Sequence, residues 1–160
     1  KAGDTFRDFV GPLGQPSDLC TEPLEEVKKK KILFVAGGVG TAPVYPQVKW
    51  LHEHGIDADV IVMATPVYFY AMNGQMKTFI DRTVPRYEEI TDKEFYFIVA
   101  AADDSHANME KTLEGFRGYL DCLPGAVEKG TIYGTGAWQI GDIKGKPAME
   151  EAYTTGKGIA

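Results

Sequence analysis

The chain has 160 residues, of which 44% are hydrophobic and 25% charged. That is enough to bury one substantial core and close to the soluble globular average, which excludes a disordered or low-complexity polymer and predicts a single domain. A formal net charge of -6 and a pI near 5.1 argue against a nucleic-acid partner, which needs a clustered basic face. No apolar stretch approaches the roughly eighteen residues that cross a bilayer, and no leader pattern opens the chain, so a cytoplasmic protein without a membrane partner is expected.

Residues 1 to 27 form an irregular segment. Phe6 to Val10 has strand character, but Gly11-Pro12-Leu13-Gly14-Gln15-Pro16 breaks the chain repeatedly. The run Lys28-Lys29-Lys30-Lys31 precedes an apolar strand and reads as a solvated strand entrance rather than a phosphate patch. From Lys31 onward apolar runs alternate with helical patterns, which defines an α/β protein with a parallel sheet and crossover helices. Ile32 to Ala36 is the first strand. A helix follows from about Pro43 to His54, with Val44, Val48 and Leu51 on one face. Ala58 to Ala64 is the second strand, interrupted by Thr65-Pro66, and the next helix, Gly74 to Thr83, should bury Met76, Phe79 and Ile80. The third strand, Phe95 to Ala101, is too apolar for an edge and is expected at the centre of the sheet. Ser105 is the expected N-cap of a helix ending near Leu123, with Leu113, Phe116 and Leu120 in one stripe and Pro124-Gly125 as the stop. Thr131 to Tyr133 is the fourth strand, and Pro147 opens the last helix. Cys20 and Cys122 lack the spacing of a cluster or disulfide framework and read as free thiols.

Three loops follow strands and have the residue types that hold ligands. Gly38-Val39-Gly40-Thr41-Ala42-Pro43 joins a strand to a helix, where unpaired N–H groups and the helix dipole attract an anion such as a phosphate. The alternative is a tight turn that holds nothing, and the pattern is GxGxxP rather than the dinucleotide GxGxxG. A ribose reader is expected at the end of the second strand, whereas Asp57 and Asp59 lie at its start. That strand end reads Thr65-Pro66-Val67-Tyr68-Phe69-Tyr70-Ala71-Met72-Asn73, an aromatic loop suited to covering a flat ring. Gly134-Thr135-Gly136-Ala137-Trp138 opens the third loop, which runs to Asp142. A ring between the two aromatic loops can stack on Trp138 or Tyr68 and take hydrogen bonds from loop N–H groups; the alternative is that these aromatics cap the sheet edge. His52, His54 and His106 have helix-terminal explanations, and no metal site is expected. Asp103-Asp104 reads as a cap.

The same residues carry two family resemblances. Gly3-Asp4-Thr5, Gly11-Pro12-Leu13-Gly14 and Lys31 to Pro43 resemble the ferredoxin–NADP reductase superfamily, near its electron-transfer subunits with FAD and NAD(P) domains. Most of the FAD barrel has no counterpart here, so FAD is not carried over. From about Ala64 onward, Thr65-Pro66-Val67-Tyr68-Phe69-Tyr70, Gln75 to Arg82 and Gly134-Thr135-Gly136-Ala137-Trp138 resemble the flavodoxin-like NAD(P)H-dependent FMN oxidoreductases. This resemblance implies a flavodoxin-like three-layer fold with four main parallel strands. It also implies FMN as cofactor, NAD(P)H as donor, and ring contacts from Pro66, Val67, Tyr68, Phe69, Tyr70, Asn73, Thr135, Gly136, Ala137 and Trp138. The phosphate would fall to the reductase-like Gly38, Val39, Gly40 and Thr41.

Two resemblances meeting between Asp57 and Ala64 suggest a hybrid of two families, of the kind made in a laboratory, with weak FMN binding and little or no catalysis. Two further readings stand beside it: a stable fold hybrid with no ligand, and an NAD(P)-binding fragment. A single helix between the first two strands implies a sequential strand order, and right-handed crossovers then put the three connecting helices on one face. The other face would be covered by residues 1 to 27, through Phe6, Phe9, Val10, Leu13, Leu19 and Leu24, or by a second chain in a homodimer.

Overall fold

The computed structural model describes residues 17–30, 32, 34–36 and 41–159, apart from the side chains of 20, 34–36 and 41–43. The chain divides into two compact units, Lys1–Lys30 and Lys31–Ala160. In the first unit, two single-turn helices, α1 (Asp18–Thr21) and α2 (Leu24–Val27), flank Pro23. The Ser17 hydroxyl caps α1 by accepting the Leu19 N–H. Lys28 and Lys29 pair with Glu25 and Glu26 at 2.9 and 2.7 Å, and Lys30 pairs with Glu22. The described lysines of the basic run are thus neutralised locally, as a solvated strand entrance requires. Phe6, Phe9, Val10 and Leu13 lie outside the described residues.

The second unit is an α/β domain. Its elements are β1 (Phe34–Ala36), α3 (Thr41–Glu53), β2 (Val60–Tyr68), β3 (Ala71–Met72), α4 (Gly74–Arg82), a 3-10 segment (Val84–Glu89), β4 (Glu94–Ala100), α5 (His106–Leu120), β5 (Val127–Gly134) and α6 (Pro147–Ile159). Strands β1, β2, β4 and β5 are parallel and lie in sequential order, with β3 folding back antiparallel on β2. Strand β4 is therefore interior, as its composition requires. It alternates strictly: Phe95, Phe97 and Val99 are fully buried, while Tyr96, Ile98 and Ala100 on the other face are half-buried.

The buried face carries the core. Met63 of β2 and Phe95, Phe97 and Val99 of β4 pack against Met76 and Ile80 of α4 and Met109, Leu113 and Phe116 of α5. The Phe97 and Phe116 rings stack at 4.8 Å, and Phe95 meets Tyr119 edge-on at 6.4 Å. Burying each such side chain contributes about 1.5–3 kcal/mol. Helices α4 and α5 thus share one face, the arrangement that right-handed crossovers between sequential strands produce. Helix α6 packs along β5, and its buried residues, Ala148 and Ile159, stand apart from the main core.

Several expectations are corrected. Strand β2 does not stop at Ala64 but runs through Pro66 to Tyr68. Pro66 lies past Met63, the last β2 residue paired with β1 among the described residues, so its missing N–H costs no observed ladder bond on that side. Phe79 is 46% exposed; α4 is short and contributes only Met76 and Ile80 to the core. Val48 of α3 is exposed while Leu51 is buried. Helix α3 also begins at Thr41 and keeps Pro46 inside it, at the cost of one backbone bond. Ser105 occupies the N-cap position of α5 but makes no side-chain cap bond. Among the described residues, no helix is long and apolar enough to cross a membrane.

Candidate functional site

Because the four long strands are parallel, their C-terminal ends share one edge of the sheet, and ligands of open α/β sheets bind outside that edge. The loop after β1 holds Gly38, Val39 and Gly40, which lie outside the described residues, as does the Thr41 side chain.

The end of β2 is better defined. Tyr68 and Ala71 pair across a two-residue hairpin turn. Its central residues, Phe69 (φ 51) and Tyr70 (φ 60), both adopt the left-handed conformation. Such turns normally take Asn-Gly, because an ordinary L-residue there costs about 1–2 kcal/mol. Phe69 gains no burial in return, being 101% exposed, while Tyr68 is 62% and Tyr70 48% exposed. The Lys111 ammonium of α5 sits 4.5 Å from the centre of the Tyr70 ring. Beneath the turn, the buried Thr65 hydroxyl donates to the Pro66 carbonyl at 2.9 Å and accepts the Asn73 N–H at 3.0 Å, pinning the returning strand. Asn73 is the N-cap of α4, its Oδ1 accepting the Met76 N–H at 2.9 Å. Val67 packs against the core. Of the residues singled out here, Tyr68, Phe69 and Tyr70 present side chains to solvent, whereas Val67 and Asn73 are committed to holding the hairpin.

The loops after β4 and β5 are laced together. The Gly136 N–H donates to the Asp103 carbonyl at 3.0 Å, and the Ala137 N–H to the Ala101 carbonyl at 2.8 Å. The Lys146 ammonium donates to the carbonyls of Thr135 and Gly136, both at 2.8 Å. One carboxylate oxygen of Asp142 accepts the N–H groups of Trp138 and Gln139 at 3.0 and 2.6 Å. Gly136 has φ +60, and a Cβ there would fall 2.2 Å from Asp104 Oδ1, so only glycine fits. The result is a braced loop that holds Trp138 77% exposed. The N–H groups of Gly136, Ala137, Trp138 and Gln139, expected to face a ring, are engaged by the protein's own oxygens. What the loop offers a ligand is the indole.

Asp103 joins this bracing. Its carboxylate accepts the Ser105 N–H and the Asn108 amide, both at 2.8 Å, which holds its pKa below the ordinary value, the Ser105 bond contributing most. It therefore braces the entry to α5 through the N-cap's own N–H and the Asn108 side chain. Behind it, Arg117 of α5 donates to Glu128 of β5 and to Glu110 and Glu114 of its own helix. The Tyr133 hydroxyl donates to Glu110. Burial first, and that bond second, push the Tyr133 phenol up to about 12. The Glu110 carboxyl is held low by Tyr133 and then by Arg117, and Glu128 chiefly by Arg117. These groups clamp α5 to β5 and so fix the base of the Trp138 loop. Sequence reading took Asp103 for a cap without its bond to Asn108 and missed Lys111, Asp142 and Lys146 in these roles; an Asp three residues before the first helical residue was the one usable signal.

A separate cleft of about 350 Å³ lies between α4, the 3-10 segment and α5, with Ile80, Val84, Gly115, Tyr119 and the free thiol of Cys122 in its walls. Among the described residues no group of three His, Cys, Asp or Glu side chains could hold a metal ion. His52 bonds Asp57, His54 stacks on Trp50, and His106 stacks on Tyr133.

A parallel sheet with exposed aromatic loops along its C-terminal edge defines a flavodoxin-like domain. The chain belongs to the NADPH-dependent FMN reductase family, whose model matches residues 12–124. FMN is the cofactor of that family and NADPH its electron donor. The chain is 68% identical over 60 residues to a Clostridium beijerinckii protein described only as uncharacterised and lying in the adh 3′ region; the match covers 38% of this chain and 20% of that one. It is 32% identical over 110 residues to the Thermotoga maritima homologue of the electron transfer subunit of dihydroorotate dehydrogenase B (NAD(+)), covering 69% of this chain and 31% of that one. The chain thus spans less than a third of the length of these relatives. Its fold resembles the Trp repressor binding protein of Bacillus subtilis (TM-score 0.50, 24% identity, covering 61% and 67% of the two chains). It also resembles an NADH:FMN oxidoreductase in its apo form (TM-score 0.50, 16% identity, covering 76% and 60%).

Proposed function

We propose that this chain binds FMN across the C-terminal edge of its sheet and serves an NAD(P)H-dependent flavin reduction. The observation that carries the reading is the hairpin after β2. Phe69 is held in a strained left-handed conformation with its ring wholly in water, a double cost that folding alone does not recover and that a flat ligand lying on it would. Strands β2 and β5 are two spacings apart, about 10 Å, which leaves room for a three-ring system between Tyr68-Phe69-Tyr70 and Trp138. The residues present fit that ring. Tyr68 and Phe69 would form one wall and Trp138 the other, while Thr65, Asn73, Asp142 and Lys146 hold the walls in place. FMN, when bound, supplies the redox chemistry by accepting a hydride from NAD(P)H. Phosphate binding is assigned to Gly38, Val39, Gly40 and Thr41 on sequence alone.

The affinity is expected to be lower than in other members of the family, since this phosphate loop resembles one that holds a pyrophosphate. The two-ancestry reading of the chain, with a join between residues 57 and 64, rests on the residue resemblances alone: the electron transfer subunit homologue matches 110 residues and the FMN reductase family model residues 12–124, each longer than either side of such a join. Titrating FMN and riboflavin against the protein tests both loops. FMN fluorescence should quench at micromolar protein, and Gly40→Asp should weaken FMN but not riboflavin. Absence of quenching at high micromolar protein leaves a fold without a ligand; equal weakening of both ligands removes the phosphate assignment.

A further inference from the structure

The hairpin and α5 together carry a second chemistry that flavin stacking does not use. Lys111 is exposed, makes no ion pair among the described residues, and rests over the Tyr70 ring. Its acidic neighbour Glu110 is taken up by Tyr133 and Arg117. Other cations are committed or differently placed. Lys146 is bonded to two carbonyls, Lys77 is paired with Asp81, and Lys144 has no ring beneath it among the described residues. The edge also carries Asp103, Asp104 and Asp142, in a chain of net charge -6, so a polyanionic donor approaching the aromatic hairpin gains from the nearby Lys111 cation. A cation fixed beside an aromatic surface that is open to solvent is the recognition chemistry of an adenosine phosphate: the base stacks, and the ammonium pairs with the phosphate.

We infer that Tyr70 and Lys111 read the adenosine end of the donor, with Lys111 pairing with the 2′-phosphate that distinguishes NADPH from NADH. This inference rests on the FMN site proposed above. Lys111 is then a specificity-determining residue, while ring contact and hydride transfer fall to other groups.

Two measurements test it. The first is binding of 2′,5′-ADP and of 5′-AMP to the protein by calorimetry. The wild type should favour 2′,5′-ADP by about tenfold, as expected for a charge-assisted contact; Lys111→Gln should erase the preference, and Lys111→Arg should retain it. The second is kcat/KM for NADPH and NADH with FMN supplied. The NADPH to NADH ratio should fall about tenfold in Lys111→Gln, through KM rather than kcat. If FMN quenches and NADPH is oxidised but neither preference changes in Lys111→Gln, the inference is overturned and the FMN site stands. If FMN does not quench with the wild type, the site reading fails and the inference falls with it.

Discussion

Replacing Phe69 by Asn should make this protein more stable and a poorer flavin binder. Phe69 has φ 51 and is fully exposed, so substitution removes backbone strain without removing buried surface. An ordinary residue in that conformation costs about 1–2 kcal/mol, and Asn escapes roughly half of it. A gain of about 0.5–1 kcal/mol follows, which for a domain of this size raises Tm by about 1–4 °C. The same change takes away one of the two rings that form a wall of the proposed ring site, worth roughly 0.5–1.5 kcal/mol, so FMN should bind several-fold more weakly. Thermal unfolding followed by circular dichroism, and FMN fluorescence titration, read the two effects on one preparation. An unchanged or lower Tm would refute the strain argument. A higher Tm with unchanged FMN affinity would show that the strain serves something other than the ring.

Arg117→Met should cost about 1–2 kcal/mol at neutral pH, since it leaves Glu110, Glu114 and Glu128 facing one another without their shared cation. Glu110 and Glu128 have folded pKa values below the ordinary 4.5, so their stabilisation is present above that pH and is lost as pH falls through the folded values. The difference in Tm between wild type and Arg117→Met should accordingly shrink on acidification towards about pH 3, and a constant difference would contradict the clamp. Gly136→Ala forces a Cβ against Asp104 and Lys146 at φ +60; a loss of at least about 1 kcal/mol in urea denaturation is expected, together with a change in Trp138 emission.

The order and type of the elements after Lys31 were legible because strand and helix periodicities are strong in Phe95 to Ala101 and in the Leu113, Phe116, Leu120 stripe. The sequential strand order also followed from connection lengths and handedness. Local signals failed where tertiary pairing took over. Thr65-Pro66 reads as a break, yet β4 pairs with β2 through Pro66. Phe79 reads as core, but only Met76 and Ile80 of α4 reach it. The aromatic loop could be named from residue type, whereas its left-handed turn could not, since nothing in Phe-Tyr calls for positive φ. The bracing of the Trp138 loop by Asp142 and Lys146 depends on side chains meeting across a folded loop, and no spacing rule announces it.

The pairing pattern of the sheet implies an order of disassembly. Strand β4 is paired along its length on both sides, from Glu94 to Ala100, while among the described residues β1 is joined to β2 over Phe34–Ala36. Amide exchange should therefore run slowest in β4 and fastest at β1, with β1 and α3 detaching as a subunit of the native state before the remainder opens. In sequence, Gly38 to Gly40 join these two elements. An anion captured there would act as a fastener between β1 and α3, and its affinity would include the free energy of holding the two together.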